Sequence, residues 1–153
     1  YMTYTEIKER NNKKYYYRTL SIRNYNKFSK KRIYLGAGLS KKELDRLEQK
    51  ADKKLLQQKI KDNIKFIKLK IIPILKKYNV KKAGVFGSYA DGKQKKASDV
   101  DILIEPPKGA GFDFIDIEDD IKLALDKKID LVTYKGLNPL LKEKILNQEI
   151  RLL

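Results

Sequence analysis

The residues best suited to chemistry lie in one stretch, GVFGSYADGKQKKASDVDILIE, residues 84–105. Gly87-Ser88 closes a candidate strand and opens a helical turn. Ten residues later Asp99-Val100-Asp101 opens another strand. Side chains two apart on a strand share a face, so Asp99 and Asp101 point one way while Val100 and Ile102 point the other, toward a core. Two carboxylates on one face repel each other unless a cation sits between them. With no His and no Cys in the chain, the ligands on offer are oxygens, which favour magnesium or manganese. Gly87, lacking a side chain, lets the backbone come close to a ligand. Ser88 at a helix start offers N–H groups and a hydroxyl to an anion such as a phosphate. A third carboxylate, Asp130, lies inside the apolar run Ile129-Asp130-Leu131-Val132, where burying it unpaired is costly. An adjacent strand would bring it beside Asp99 and Asp101. Taken alone, it also reads as a strand-edge residue paired with Lys128 or Lys135.

Other chemistries are excluded by composition. Without histidine there is no Ser-His-Asp triad and no HExxH zinc site; without cysteine there is no disulfide and no thiolate metal site. Catalysis must come from carboxylates, Lys, Tyr, Ser or Thr, or a metal. The 153 residues suit one ordinary domain or a small domain with an appended module. The net charge of +16 is uneven: residues 1–82 hold 25 Lys/Arg against 7 Asp/Glu, residues 83–153 hold 11 against 13. That asymmetry implies either two modules or a basic face, which is an electrostatic footprint for nucleic acid or an acidic partner. No run of apolar residues reaches membrane-span length and no signal peptide opens the chain, so a cytoplasmic, membrane-free protein is expected.

The elements that must position the site follow from local patterns. Thr3–Arg10, Lys14–Arg23 and Phe28–Leu35 read as a three-strand meander, with Asn11-Asn12 and Asn24-Tyr25-Asn26 as turns. Ser40 to Glu43 is a capping box, opening one long bent helix or two helices over residues 41–78, with Pro73 near a kink or break. Lys82–Phe86 reads as a strand, Ser88–Asp91 as a helical turn, and Val100–Glu105 as a strand. A loop over residues 106–111 precedes a helix over 113–127. Ile129–Tyr134 is a strand, and Asn138-Pro139 caps a last helix running to about Gln148. The fold class is α+β: a small mixed sheet with flanking helices, preceded by an antiparallel β meander and a basic helical segment. Domains are expected at residues 1–39, a small basic β module, and 40–153, with the motifs in about 60–153.

The run from Gly87-Ser88 through Asp99-x-Asp101 resembles the GSX10DXD motif of the DNA polymerase beta-like nucleotidyltransferase superfamily. More narrowly, it resembles the minimal nucleotidyltransferase antitoxins that pair with HEPN-domain toxins. Gly111-Phe112-Asp113-Phe114-Ile115, Ile129-Asp130-Leu131-Val132 and Leu137-Asn138-Pro139-Leu140-Leu141 add to the likeness. The resemblance implies that Asp99, Asp101 and Asp130 are catalytic and hold two Mg2+ ions, with Mn2+ as the alternative. It implies that Gly87 and Ser88 hold the triphosphate of ATP, and that AMP passes to a tyrosine hydroxyl of a cognate HEPN toxin. Many relatives carry Arg after the Ala of GS-x-A-R-G, where this chain has Asp91, so Lys93, Lys95 or Lys96 would have to supply that charge. A competing reading is a nucleic-acid- or partner-binding protein with an inert nucleotidyltransferase fold. Tyr15, Tyr16, Tyr17, Arg18, Arg23 and Tyr25 motivate it, since aromatics beside cations stack bases and contact phosphate.

Overall fold

The computed structural model describes residues 2–24, 27–95, 97–107 and 113–153. The chain divides into two compact units, Tyr1–Lys59 and Ile60–Leu153. The division falls within one helix, so the first nineteen residues of that helix go with the meander rather than with the nucleotide-motif unit.

In the first unit, β1 (Met2–Arg10), β2 (Lys13–Asn24) and β3 (Lys27–Ala37) form an antiparallel sheet in that order. Asn11 and Asn12 take φ +51 and +56, the left-handed pair that a two-residue hairpin turn needs and that Asn tolerates. The second expected turn includes Tyr25 and Asn26, which lie outside the described residues. Helix α1 (Lys41–Lys77) starts on the expected capping box. The Ser40 N–H donates to Glu43 Oε2 at 3.0 Å, and the Glu43 N–H donates back to Ser40 Oγ at 3.4 Å. The start of α1 is tied to the sheet by Arg18, whose guanidinium forks onto both oxygens of Asp52 at 2.8 Å. Leu20, Ala51 and Leu55 are buried in this unit. The helix continues through Pro73 as one element rather than two.

In the second unit, β4 (Lys82–Phe86), β5 (Val100–Glu105), β6 (Ile129–Thr133) and β7 (Ile150–Arg151) form a sheet of order β6-β5-β4-β7. The β5–β6 pair is parallel and the other two pairs are antiparallel. Ile64, Ile67, Ile71 and Leu75 recur at helical spacing along α1 and are buried together with Ile117, Ile121 and Leu125 of α3 (Asp113–Leu125). They share one core with Val85, Val100, Ile102 and Ile104, which confirms the inward direction expected for Val100 and Ile102. Short α2 (Gly87–Ala90) links β4 to the loop before β5. Helix α4 (Pro139–Gln148) is capped by Asn138, whose side chain accepts from the Leu140 N–H at 2.9 Å. Strand β7 was not expected; two residues are too few to carry a periodic pattern.

Candidate active site

Three strands converge on one row. Phe86 is registered against Asp101, and Asp101 against Asp130. Residues paired across neighbouring strands project from the same face, so Asp101 and Asp130 stand side by side there. Asp99 lies just before β5, close enough for its charge to act on Asp101. Asp101 is half-buried, while Asp99 and Asp130 are exposed. Asp130 therefore avoids the burial cost that its apolar neighbours Ile129 and Leu131 suggest, because those two residues take the buried face.

The three carboxylates act electrically on one another. Burial pushes the Asp101 carboxyl above the ordinary aspartate range, and the negative charges of Asp130 and then Asp99 push it the same way. A hydrogen bond from the Ser88 backbone N–H offsets part of this. Among the described residues no three carboxylates are gathered closely enough to enclose one ion.

Gly87 is where the tightest geometry lies. Its φ is +64, and a Cβ built there would come within 2.1 Å of Asp101 Oδ2. Both facts demand glycine: a left-handed backbone turn and a carboxylate occupying the space a side chain would fill. Sequence reasoning assigned this glycine to a close approach of ligand; the structure shows that Asp101 itself makes a close approach. The chain beyond α2 wraps back on the same turn, with the N–H groups of Lys93 and Gln94 both donating to the Ser88 carbonyl, at 2.9 and 3.1 Å. Gln94 Oε1 is buried with no hydrogen-bond partner among the described residues. Asp91 closes α2 by donating its N–H to the Gly87 carbonyl at 3.0 Å. Lys93 and Lys95 are exposed on this loop, and Lys96 lies outside the described residues.

An open groove of about 960 Å³ adjoins the site on the α3 side and shares Asp99 with it, but not Asp101 or Asp130. Its lining sets four carboxylates against three lysines. A polar brace that the sequence did not disclose crosses the same sheet. Glu149, just before β7, accepts a hydrogen bond from the Tyr134 hydroxyl and lies so close over Gly84 that a Cβ there would meet its Oε1 at 2.1 Å. Lys82 Nζ sits 3.9 Å from the centre of the Tyr134 ring. Among the described residues no helix is long and apolar enough to cross a membrane.

Comparison with known proteins places this geometry in context. A protein of Methanocaldococcus jannaschii, named as a candidate protein adenylyltransferase, is 46% identical over 92 residues, which is 60% of this chain and 99% of that protein. Protein adenylyltransferase MntA of Thermococcus cleftensis is 32% identical over 75 residues, 48% of this chain and 76% of that protein. A toxin–antitoxin crystal structure with AMP-PNP matches with a TM-score of 0.50 at 26% identity, over 56% of this chain and 72% of that one. Residues 69–153 match the family described as polymerase beta, nucleotidyltransferase. That match takes in more than half of the chain and all of the Gly87 to Asp130 constellation; the chain is a nucleotidyltransferase and belongs to the polymerase beta family.

Proposed function

We propose that this chain transfers AMP from ATP to a hydroxyl of a partner protein, a tyrosine of a cognate HEPN-domain toxin, and so acts as its antitoxin. The observation that carries the reading is the row of Asp101 and Asp130 on adjacent strands, with Asp99 within electrostatic reach and the Gly87-Ser88 turn against Asp101. Two kinds of likeness support the acceptor class: relatives named protein adenylyltransferases, and a toxin–antitoxin structure that holds AMP-PNP.

The donor set fits a divalent cation. Three carboxylates with no nitrogen or sulfur ligand in the chain are hard oxygen donors, suited to Mg2+ or Mn2+. Asp99 and Asp101 would hold such ions, with Asp130 completing one site. When bound, the metal would supply a positive charge that neutralises phosphate oxygens and stabilises an in-line displacement. The residues of the chain perform the remaining tasks. Gly87 and Ser88 hold the triphosphate, and Lys93 or Lys95, exposed on the loop after α2, would supply the charge that relatives take from an arginine at the position of Asp91. Asp130 readies the acceptor hydroxyl by taking its hydrogen bond. The acceptor oxygen bonds to the α-phosphorus as the α–β bridging P–O bond breaks, pyrophosphate leaves, and the hydroxyl proton passes to Asp130 or to water. Positioning and charge account for the rate, without a covalent enzyme intermediate.

The test is transfer of label from α-labelled ATP, with magnesium, to a HEPN-domain protein. Label on the tyrosine of that protein, lost on chelation and in Asp99→Ala, supports the reading. Undiminished transfer in a folded Asp99→Ala or Asp101→Ala variant would overturn the roles given to the carboxylates. Absence of label with every NTP and acceptor would leave a binding role in place of the transferase antitoxin.

A further inference from the structure

The nucleotidyl-transfer site makes no use of the β1–β2–β3 sheet, whose two faces differ in kind. One face carries Arg18, which bonds Asp52 and pairs with Glu48 on α1. By strand parity, Tyr15, Tyr17, Thr19 and Ser21 lie on the other face of β2. Cross-strand register adds Tyr4 and Lys8 from β1, paired with Thr19 and Tyr15, and Tyr34 and Lys30 from β3, paired with Tyr17 and Ser21. Arg10, paired with Lys13, extends the same face. The acid of this face, Glu6, is held by Arg32 at 3.0 Å, which leaves the excess charge positive.

Tyr34 is exposed, Tyr4 and Tyr17 are half-buried, and cations flank these rings. Tyr17 and Tyr34 have centroids 5.2 Å apart, and Tyr34 is 54% exposed. Lys8 Nζ lies 5.7 Å from the Tyr17 centroid, and Lys30 Nζ 5.8 Å from the Tyr4 centroid. Aromatic side chains on a sheet face offer π-faces on which bases can stack, and the ammonium groups around them can track phosphates. Bases inside a duplex have no free face to give, so aromatic rings beside cations favour an unpaired strand.

We propose that this outer face of the meander binds single-stranded nucleic acid, with bases stacked on Tyr17 and Tyr34 and phosphates taken by Lys8 and Lys30. This function is separate from nucleotidyl transfer and uses none of its residues.

The full chain is titrated into labelled single strands of about 15 nucleotides, RNA and DNA, and into the duplex of the same sequence, across a salt series. A single strand of either sugar should bind at least tenfold more tightly than the duplex. The affinity should fall with salt at a log–log slope of about −1.4 to −2.8, from two to four neutralised phosphates. Tyr17→Ala with Tyr34→Ala should weaken binding about tenfold or more, whereas Tyr17→Phe with Tyr34→Phe should retain it, because stacking needs the ring and not the hydroxyl. Lys8→Glu with Lys30→Glu should flatten the salt slope by about 1.4. Should the alanine pair lose its circular dichroism, the lysine pair decides instead. No single-strand binding at low salt overturns the proposal. So does equal affinity for duplex together with identical behaviour of the Ala and Phe pairs, since that outcome is charge attraction alone.

Discussion

Gly87→Ala separates two demands that meet at one atom. Alanine at φ +64 carries the left-handed backbone penalty, about 1–2 kcal/mol. Its methyl would also stand 2.1 Å from Asp101 Oδ2. Relief requires the carboxylate to move by about 1 Å, and a misplacement of that order in a reacting centre costs about a hundredfold in rate. Moving Asp101 also breaks its hydrogen bond from the Ser88 N–H. The control is Gly38→Ala, with φ +63 and nothing within 4 Å of the new Cβ. It shares the backbone penalty without the clash. Both variants should melt several degrees below the parent, as about 1–2 kcal/mol implies for a chain of this size. In the label-transfer assay Gly87→Ala should fall about a hundredfold while Gly38→Ala stays near the parent rate. Equal activity of the two variants would refute the argument that Asp101 needs the space at Gly87.

Two further perturbations probe the frame around the site. Arg18→Met removes the forked pair to Asp52 and the contact to Glu48; with the Arg18 side chain only 15% exposed, a loss of about 1–3 kcal/mol is expected in denaturant unfolding. The hydrogen bond from Arg18 is the main cause holding the Asp52 carboxyl below the ordinary range. A depressed folded-state value stabilises above the unfolded aspartate pKa and is lost as pH falls through the folded one. The parent should therefore lose this stability below about pH 4, and Arg18→Met should show a flatter acid limb. Tyr134→Phe leaves Glu149 without its hydroxyl donor over Gly84. A stability loss of about 1–3 kcal/mol with transfer unchanged is expected, since Glu149 lies over Gly84 whereas Asp101 lies over Gly87.

The sequence by itself determined whatever depends on near neighbours. The two-residue spacing of Val100 and Ile102 sets a shared buried face through strand pleat alone. Asn11-Asn12, the Ser40–Glu43 box and Asn138-Pro139 each satisfy or shape the backbone within a few residues, so their turn and caps were legible. Tertiary structure decided what depends on partners distant along the chain. The pairing of Asp101 with Asp130 requires a parallel register set by packing the whole intervening helix, through Ile117, Ile121 and Leu125, onto the strands it connects. The need for glycine at 87 comes from a carboxylate fourteen positions away, and the Tyr134–Glu149 brace from a strand of two residues that exists because β4 offers it an edge. The division of the chain inside α1 is likewise invisible to helix propensity. A 37-residue helix reads as one element locally, and Arg18 with Asp52 at one end and Ile64 to Leu75 at the other determine to which unit each half belongs.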